Sequence, residues 1–281
     1  MLLLVFFSCK EEGGKEKYNP EKAGAEIINS VEISGWPAGT TAGNSDVTFD
    51  ASRLFVRQNN ILYIFEKSND DIRRMNHFGL PSPVFSSYNK PSGMALFGNV
   101  LIIPSFNHNA LVYDIVITLG GNFCKQVSLN DIRISIPEDS LVTSLNIGKN
   151  HDDNTLWIWV TYSKAEIKYD KYFIYEFNFI NISEIIFNKL SEKSLAKPQY
   201  LYCAAINGTE LWYYSYDQDN SDNNIPDIPN IYLCDLNDIS NVLKTVKLNY
   251  LGIQDKAGGF AYDGIYLWVT IGDKLLQLKP L

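Results

Sequence analysis

Histidine is nearly missing from this chain. There are three in 281 residues, His77, His108 and His151. None has a partner at HxH or HxxxH spacing, which excludes a histidine-built zinc site of the usual kind. Cysteine is scarce too. After Cys9 there are only Cys124, Cys203 and Cys234, too few for a disulfide framework, and they read as small buried hydrophobes. Positive charge is in deficit: 24 Lys and Arg against 32 Asp and Glu leave a net charge of −8, which disfavours a general nucleic-acid surface. No P-loop and no GxSxG occur, and Gly120-Gly121 alone marks a turn. Beyond the first few residues no apolar run reaches the eighteen or so that would cross a membrane.

What the chain does have is aromatic and aliphatic residues in short runs, with 46% hydrophobic and 13% aromatic residues overall. The last 24 residues, 258–281, show the pattern most plainly. An apolar run at Phe260 is followed by Asp263-Gly264, then Tyr266 to Thr270, then Gly272-Asp273, then Leu275 to Leu278. Asp-Gly and Gly-Asp tolerate the positive φ of tight hairpin turns, so this is a three-strand meander.

The same unit recurs. First runs begin near Val47, Met94, Ser144, Leu201 and Gly259, giving spacings of 47, 50, 57 and 58 residues. Each carries a strong second run, with Phe55, Trp157, Trp212 and Trp268 at the same place after a leucine. A weaker fourth run follows at 72–78, 123–129, 182–190 and 242–250. Four short strands per repeat of about 50 residues is the pattern of a β-propeller blade. The fifth unit lacks a fourth strand, and an orphan run at 31–34 precedes the first unit. Pairing it with 275–278 closes an all-β ring of five four-stranded blades. A sixth would fit only if 116–139 were a degenerate unit. Both faces of a blade are covered by its neighbours, so the four aligned aromatics are expected between blades. The Leu-Trp-Val-Thr and Asp-Gly elements, over about residues 45–281, resemble the degenerate blades of the NHL and virginiamycin B lyase-like bacterial propellers. That resemblance implies a fold and no activity.

Before the repeats, Met1 to Ser8 is apolar and ends in a small residue ahead of Cys9, and a polar, glycine-containing stretch follows. This resembles the signal and lipobox of bacterial lipoproteins, although Phe6 and Phe7 and the missing positive segment depart from the pattern. The resemblance implies removal of residues 1–8, lipidation at Cys9, and attachment at the outer membrane or cell surface. Lys10-Glu11-Glu12 resembles a surface-export tag. Residues 9–25 then read as a flexible tether and 26–281 as the propeller domain. The partner this implies is a membrane.

Two features point to a ligand. Long connections fall on one side of the ring, at 104–109, 162–171, 215–230, 79–91, 191–198 and 251–257. Elaborated loops on a rigid scaffold are where binding sits. The expected contacts there are Trp36, Tyr88, Phe106, His108, Tyr162, Tyr216 and Asp255. Within 215–230, Asp217, Asp219, Ser221 and Asn223 alternate as Ca²⁺ ligands do, yet Asp222 and Ile228 stand where an EF-hand needs Gly and Glu. The string is either a Ca²⁺ loop or a solvated acidic turn, and no other cofactor is expected. The first functional reading is a protein- or glycan-binding module. The second is an enzyme of the lyase, lactonase or glycosidase type, whose thin candidates are Asp50, Asp114, Glu166, Asp170 and Asp255, converging with His108 at the channel mouth. A third is a structural partner in an envelope complex.

Overall fold

The computed structural model describes residues 18–33, 45–58, 61–67, 72–80, 92–107, 112–165, 167–195, 203–216, 229–253, 257–272 and 274–281. A single helical turn, α1 (Pro20–Ala23), leads into strand β1 (Ala25–Glu32). Blade 1 is β2 (Ser45–Phe49), β3 (Arg53–Gln58), β4 (Ile61–Lys67) and β5 (Ile72–Gly79). Blade 2 is β6 (Ser92–Phe97), β7 (Val100–Asn107), β8 (Val112–Leu119) and β9 (Asn122–Ser128). Blade 3 is β10 (Leu141–Asn150), β11 (Thr155–Lys164), β12 (Ile167–Asn181) and β13 (Glu184–Leu195). Blade 4 is β14 (Cys203–Asn207), β15 (Glu210–Tyr216), β16 (Pro229–Asp235) and β17 (Asp238–Lys247). Blade 5 is β18 (Ala257–Tyr262), β19 (Leu267–Ile271) and β20 (Lys274–Pro280), with β1 as its outer strand.

The protein is a five-bladed β-propeller. Its first strands neighbour one another in cyclic order, β2 beside β6, β6 beside β10, β10 beside β14, β14 beside β18 and β18 back beside β2. Between β6 and β10 the approach is close enough for parallel pairing of Gly93 with Ile147. Gly93 has φ 87°, and a Cβ there would sit 1.9 Å from the Ile147 carbonyl oxygen, so only glycine fits. The 116–139 region is not a sixth blade. It supplies β8, β9 and an irregular segment, 129–140, that packs Ile132 and Ile134 against blade 3 and takes a 3.0 Å hydrogen bond from the Tyr175 hydroxyl on the Ile132 carbonyl.

The ring closes as the orphan run implied, with a longer strand. Val31 pairs with Leu275, and the ladder continues to Ala25 opposite Pro280. Asn29 Nδ2 donates to Gln277 Oε1 at 2.7 Å across it. The closing strand therefore starts six residues ahead of residue 31 and ends at Glu32. The tether is correspondingly shorter. Asn19 caps α1 through the Lys22 amide at 3.0 Å, and the Asn19 amide donates to the Tyr250 carbonyl at the rim of blade 4.

The core lies between blades, as the aligned aromatics predict. Phe55, Trp157, Trp212 and Trp268 are 6%, 1%, 1% and 0% exposed. Phe55 packs in the layer between blades 1 and 2, Trp157 between 3 and 4, and Trp268 in the large cluster shared by blades 4, 5 and 1.

Candidate functional site

First strands run from the long-loop side of the ring, here the loop end, to the side of the first-to-second-strand turns, the turn end. Buried polar side chains concentrate at the loop end, and every blade contributes. Blade 1 supplies Asp46, Arg57 and Gln58, blade 2 Ser105 and Asp114, blade 3 Asn146, Thr161 and Asp170, blade 4 Asn230, and blade 5 Thr270. These are ten of the fifteen buried polar side chains among the described residues, so the polarity is sorted to one end of the barrel rather than scattered. Polar groups are buried only where hydrogen bonds repay the lost water. The Arg57 guanidinium pairs with Asp46 across the β2–β3 ladder, and the Gly93 amide donates to the same carboxylate, tying blade 1 to blade 2. Complete burial pushes the Asp46 carboxyl above its ordinary range, against the pull of Arg57 and of the Gly93 N–H. Thr161 Oγ1 donates to Asp170 Oδ1 at 2.6 Å, Gln126 Nε2 to Asp114 Oδ2 at 2.6 Å, and Thr270 Oγ1 to the Gly259 carbonyl at 3.1 Å. Gln58 Nε2, 4% exposed as a residue, has no hydrogen-bond partner among the described residues.

The turn end is built differently. His151 lies flat on Phe49 with ring centroids 3.8 Å apart, beside an axial cavity of about 20 Å³. Burial first, then the charges of Lys149 and Lys67, push its pKa from 6.5 to about 4. Lys67 reaches from blade 1 to Asp263 of blade 5 at 2.5 Å, and Asp263 also accepts from Trp268 Nε1 at 2.9 Å. Burial works against the Asp263 carboxylate, but these bonds and the Tyr266 amide hold it below the usual range.

Of the expected ligand contacts, Phe106 and Tyr162 are on strands rather than loops. Phe106 is in β7, 4% exposed and packed on Tyr113 at 4.8 Å; Tyr162 is in β11, 7% exposed and stacked on Tyr169 at 5.4 Å. The 162–171 loop is in fact a hairpin continued by β11 and β12, and 104–107 and 191–195 belong to β7 and β13. Tyr216 is the last residue of β15. Cys9, Trp36, Tyr88, His108, Glu166, Asp255 and the candidate Ca²⁺ residues Asp217, Asp219, Ser221 and Asn223 lie outside the described residues. The three described carboxylates do not converge. Asp50 is at the turn end of blade 1, where burial works against it but bonds from Arg53 and from the Ser52 and Arg53 amides keep its pKa low. Asp114 and Asp170 are on the third strands of blades 2 and 3, one strand further from the axis than the second strands. The sequence reading missed Asp46 and Arg57. Their signal was two opposite charges in cross-strand register on the first and second strands of one blade.

No family model matches the chain, and no curated protein matches it. Solved structures do. Myxococcus xanthus glutaminyl cyclase is 8% identical with a TM-score of 0.49, over 91% of this chain and 95% of that one. The exo-β-1,3-galactanase of Phanerochaete chrysosporium is 10% identical with a TM-score of 0.48 over 90% of this chain; the match spans 64% of the galactanase, under two thirds of its length. A thermostable family-43 glycoside hydrolase is 12% identical with a TM-score of 0.43, covering 88% and 91%. Identities this low carry no activity across.

Proposed function

We propose that this is an exported lipoprotein whose propeller binds a hydroxyl-rich ligand, a glycan or a polar protein surface, at its loop end. The observation that carries the reading is the sorting of buried polar groups from all five blades to that end. A packed scaffold has no need of such sorting, whereas a surface that must hold polar loops and a polar ligand does. Trp36, Tyr88, His108, Tyr216 and Asp255 are the proposed contacts, with Asp217, Asp219, Ser221 and Asn223 as the proposed Ca²⁺ loop supporting them. Cys9 carries the anchor, since two or three acyl chains hold a protein on a membrane where one does not. Among the described residues no helix is long and apolar enough to cross a membrane. An enzymatic reading would draw on Asp46, a loop-end carboxyl whose burial raises its pKa. Its ion pair with Arg57 and complete burial favour a structural role instead.

The test is a glycan array probed with residues 18–281. Binding should be lost in Tyr216→Ala with an unchanged unfolding midpoint, and kept in Ile265→Ala at the turn end. Detergent-phase partitioning of the full chain should be abolished by Cys9→Ala. A Cys9→Ala protein that stays membrane-bound overturns the anchor.

A further inference from the structure

The repeat opens its first turn with the same kind of residue in four blades. Two positions after the first-strand residue opposite Phe55, Trp157, Trp212 or Trp268 stand Asp50, Asn150, Asn207 and Asp263. Asp50 and Asp263 accept amides of their own turns, from Ser52 and Arg53 and from Ile265 and Tyr266. Asn150 divides its Oδ1 between its own turn and the next blade. It accepts from the Asp152 amide at 3.2 Å and from the Gly208 amide of blade 4 at 2.9 Å. Asn150 is 3% exposed, so that oxygen is held in place. Gly208 follows Asn207, and this is the single Asn-Gly pair in the sequence. The β14–β15 ladder ends at Asn207 opposite Glu210, which puts the Gly208 amide in the turn, outside the ladder.

We propose that Asn207 is a latent deamidation site and that Asn150, one blade away, keeps it closed by occupying the Gly208 N–H. Asn-Gly is the pair most prone to this reaction, because glycine puts no side chain in the path of its own nitrogen. The Gly208 nitrogen gives up its proton and attacks Asn207 Cγ. An N–Cγ bond forms, the Cγ–Nδ2 bond breaks, and the side-chain nitrogen leaves as ammonia. Water then opens the cyclic imide at either carbonyl, leaving aspartate or isoaspartate. Two features oppose the attack. The proton that must leave is held by a fixed acceptor. The two reacting groups are also drawn to opposite sides, the Gly208 N–H toward blade 3 and the Asn207 amide toward blade 5, where Nδ2 lies 3.5 Å from the position a Cβ on Gly264 would take. Conversion would set a new carboxylate opposite Glu210. Asp152 Oδ2 is close by, 3.3 Å from the Cβ position of Gly208. Like charges across a ladder repel, so the modified chain would loosen where blades 3 and 4 meet at the turn end.

The test follows the peptide spanning 207–208 by mass spectrometry while the full chain is incubated in mildly alkaline buffer, folded or unfolded in urea. Folded protein should convert at Asn207 at least several-fold more slowly than the unfolded chain. Asn150→Ala should convert several-fold faster than the unaltered protein. Asn150→Asp, which keeps the acceptor as Asp50 and Asp263 do, should match the unaltered protein. Because Asn150→Ala also loses a bond within its own turn, hydrogen exchange on the unaltered protein gives a second reading. There the Gly208 amide should exchange far more slowly than in the unfolded chain. The proposal is overturned by exchange at the unfolded rate, by equal conversion of folded and unfolded protein, or by Asn150→Ala converting no faster than the unaltered protein. Asn150→Asp converting as fast as Asn150→Ala overturns it too.

Discussion

Trp268 shows at single-residue scale how the ring is latched. Its indole is fully buried, its N–H ends on Asp263, and the Lys67 ammonium that pairs with Asp263 lies 5.5 Å from its ring. Three blade-5 and blade-1 groups thus meet at the seam between the last blade and the first. Trp268→Ala should cost about 3–5 kcal/mol in denaturant unfolding, the usual penalty for truncating a buried aromatic. Trp268→Phe should cost much less, about 1 kcal/mol, since it removes one hydrogen bond while Lys67 still holds Asp263. Equal losses would mean that the hydrogen bond, and not packing, dominates. His151 gives a second prediction. Its folded pKa, about 4, lies below its ordinary 6.5, so between those values the unfolded chain binds more protons and stability falls as pH drops. The slope cannot exceed about 1.4 kcal/mol per pH unit for one group. His151→Gln should flatten the pH 6.5-to-4 limb of the stability profile. An unchanged limb would assign it to other groups.

At the scale of elements, β1 is the strand on which closure depends. Deleting residues 25–32 would expose the β20 edge and leave blade 5 with three strands. That protein should aggregate or melt far lower, whereas deleting 10–17 should leave the melting temperature nearly unchanged. Deleting 18–24 should fall between the two, because α1 is docked through Asn19 and the buried Ala23. Equal melting of the first two deletions would refute the closure. The elements themselves were largely legible in the chain, because hairpin turns such as Gly98-Asn99, Asn207-Gly208 and Asp263-Gly264 announce themselves through residues that tolerate positive φ. The failures have the same origin. The β11–β12 hairpin turns at Ala165, with φ 48°, a conformation alanine does not advertise, so the extension of both strands read as a loop. Pro104 read as the end of β7, but the β6–β7 pairing stops at Ala95 opposite Ile102, leaving the proline on a stretch where it forfeits no bond to β6. The polar layer was illegible for another reason. It is made by residues distant in sequence that come level only when five blades close into a ring.

For the whole molecule, the two ends of the channel have different characters. The turn end is closed by short capped turns, the Phe49–His151 stack and the Lys67–Asp263 latch. The loop end gathers buried polar groups from every blade. Under the proposed function this second end would meet the ligand while the chain is held at the membrane through Cys9. Photo-crosslinking in intact cells tests it most directly, with a photoreactive amino acid placed singly at the proposed contacts Trp36 or Tyr216 and at Asp153 or Ile265 on the turn side. Adducts of one defined mass are expected from the proposed contacts and none from the turn side. The same adduct arising from Asp153 or Ile265, with none from Trp36 or Tyr216, would contradict the claim.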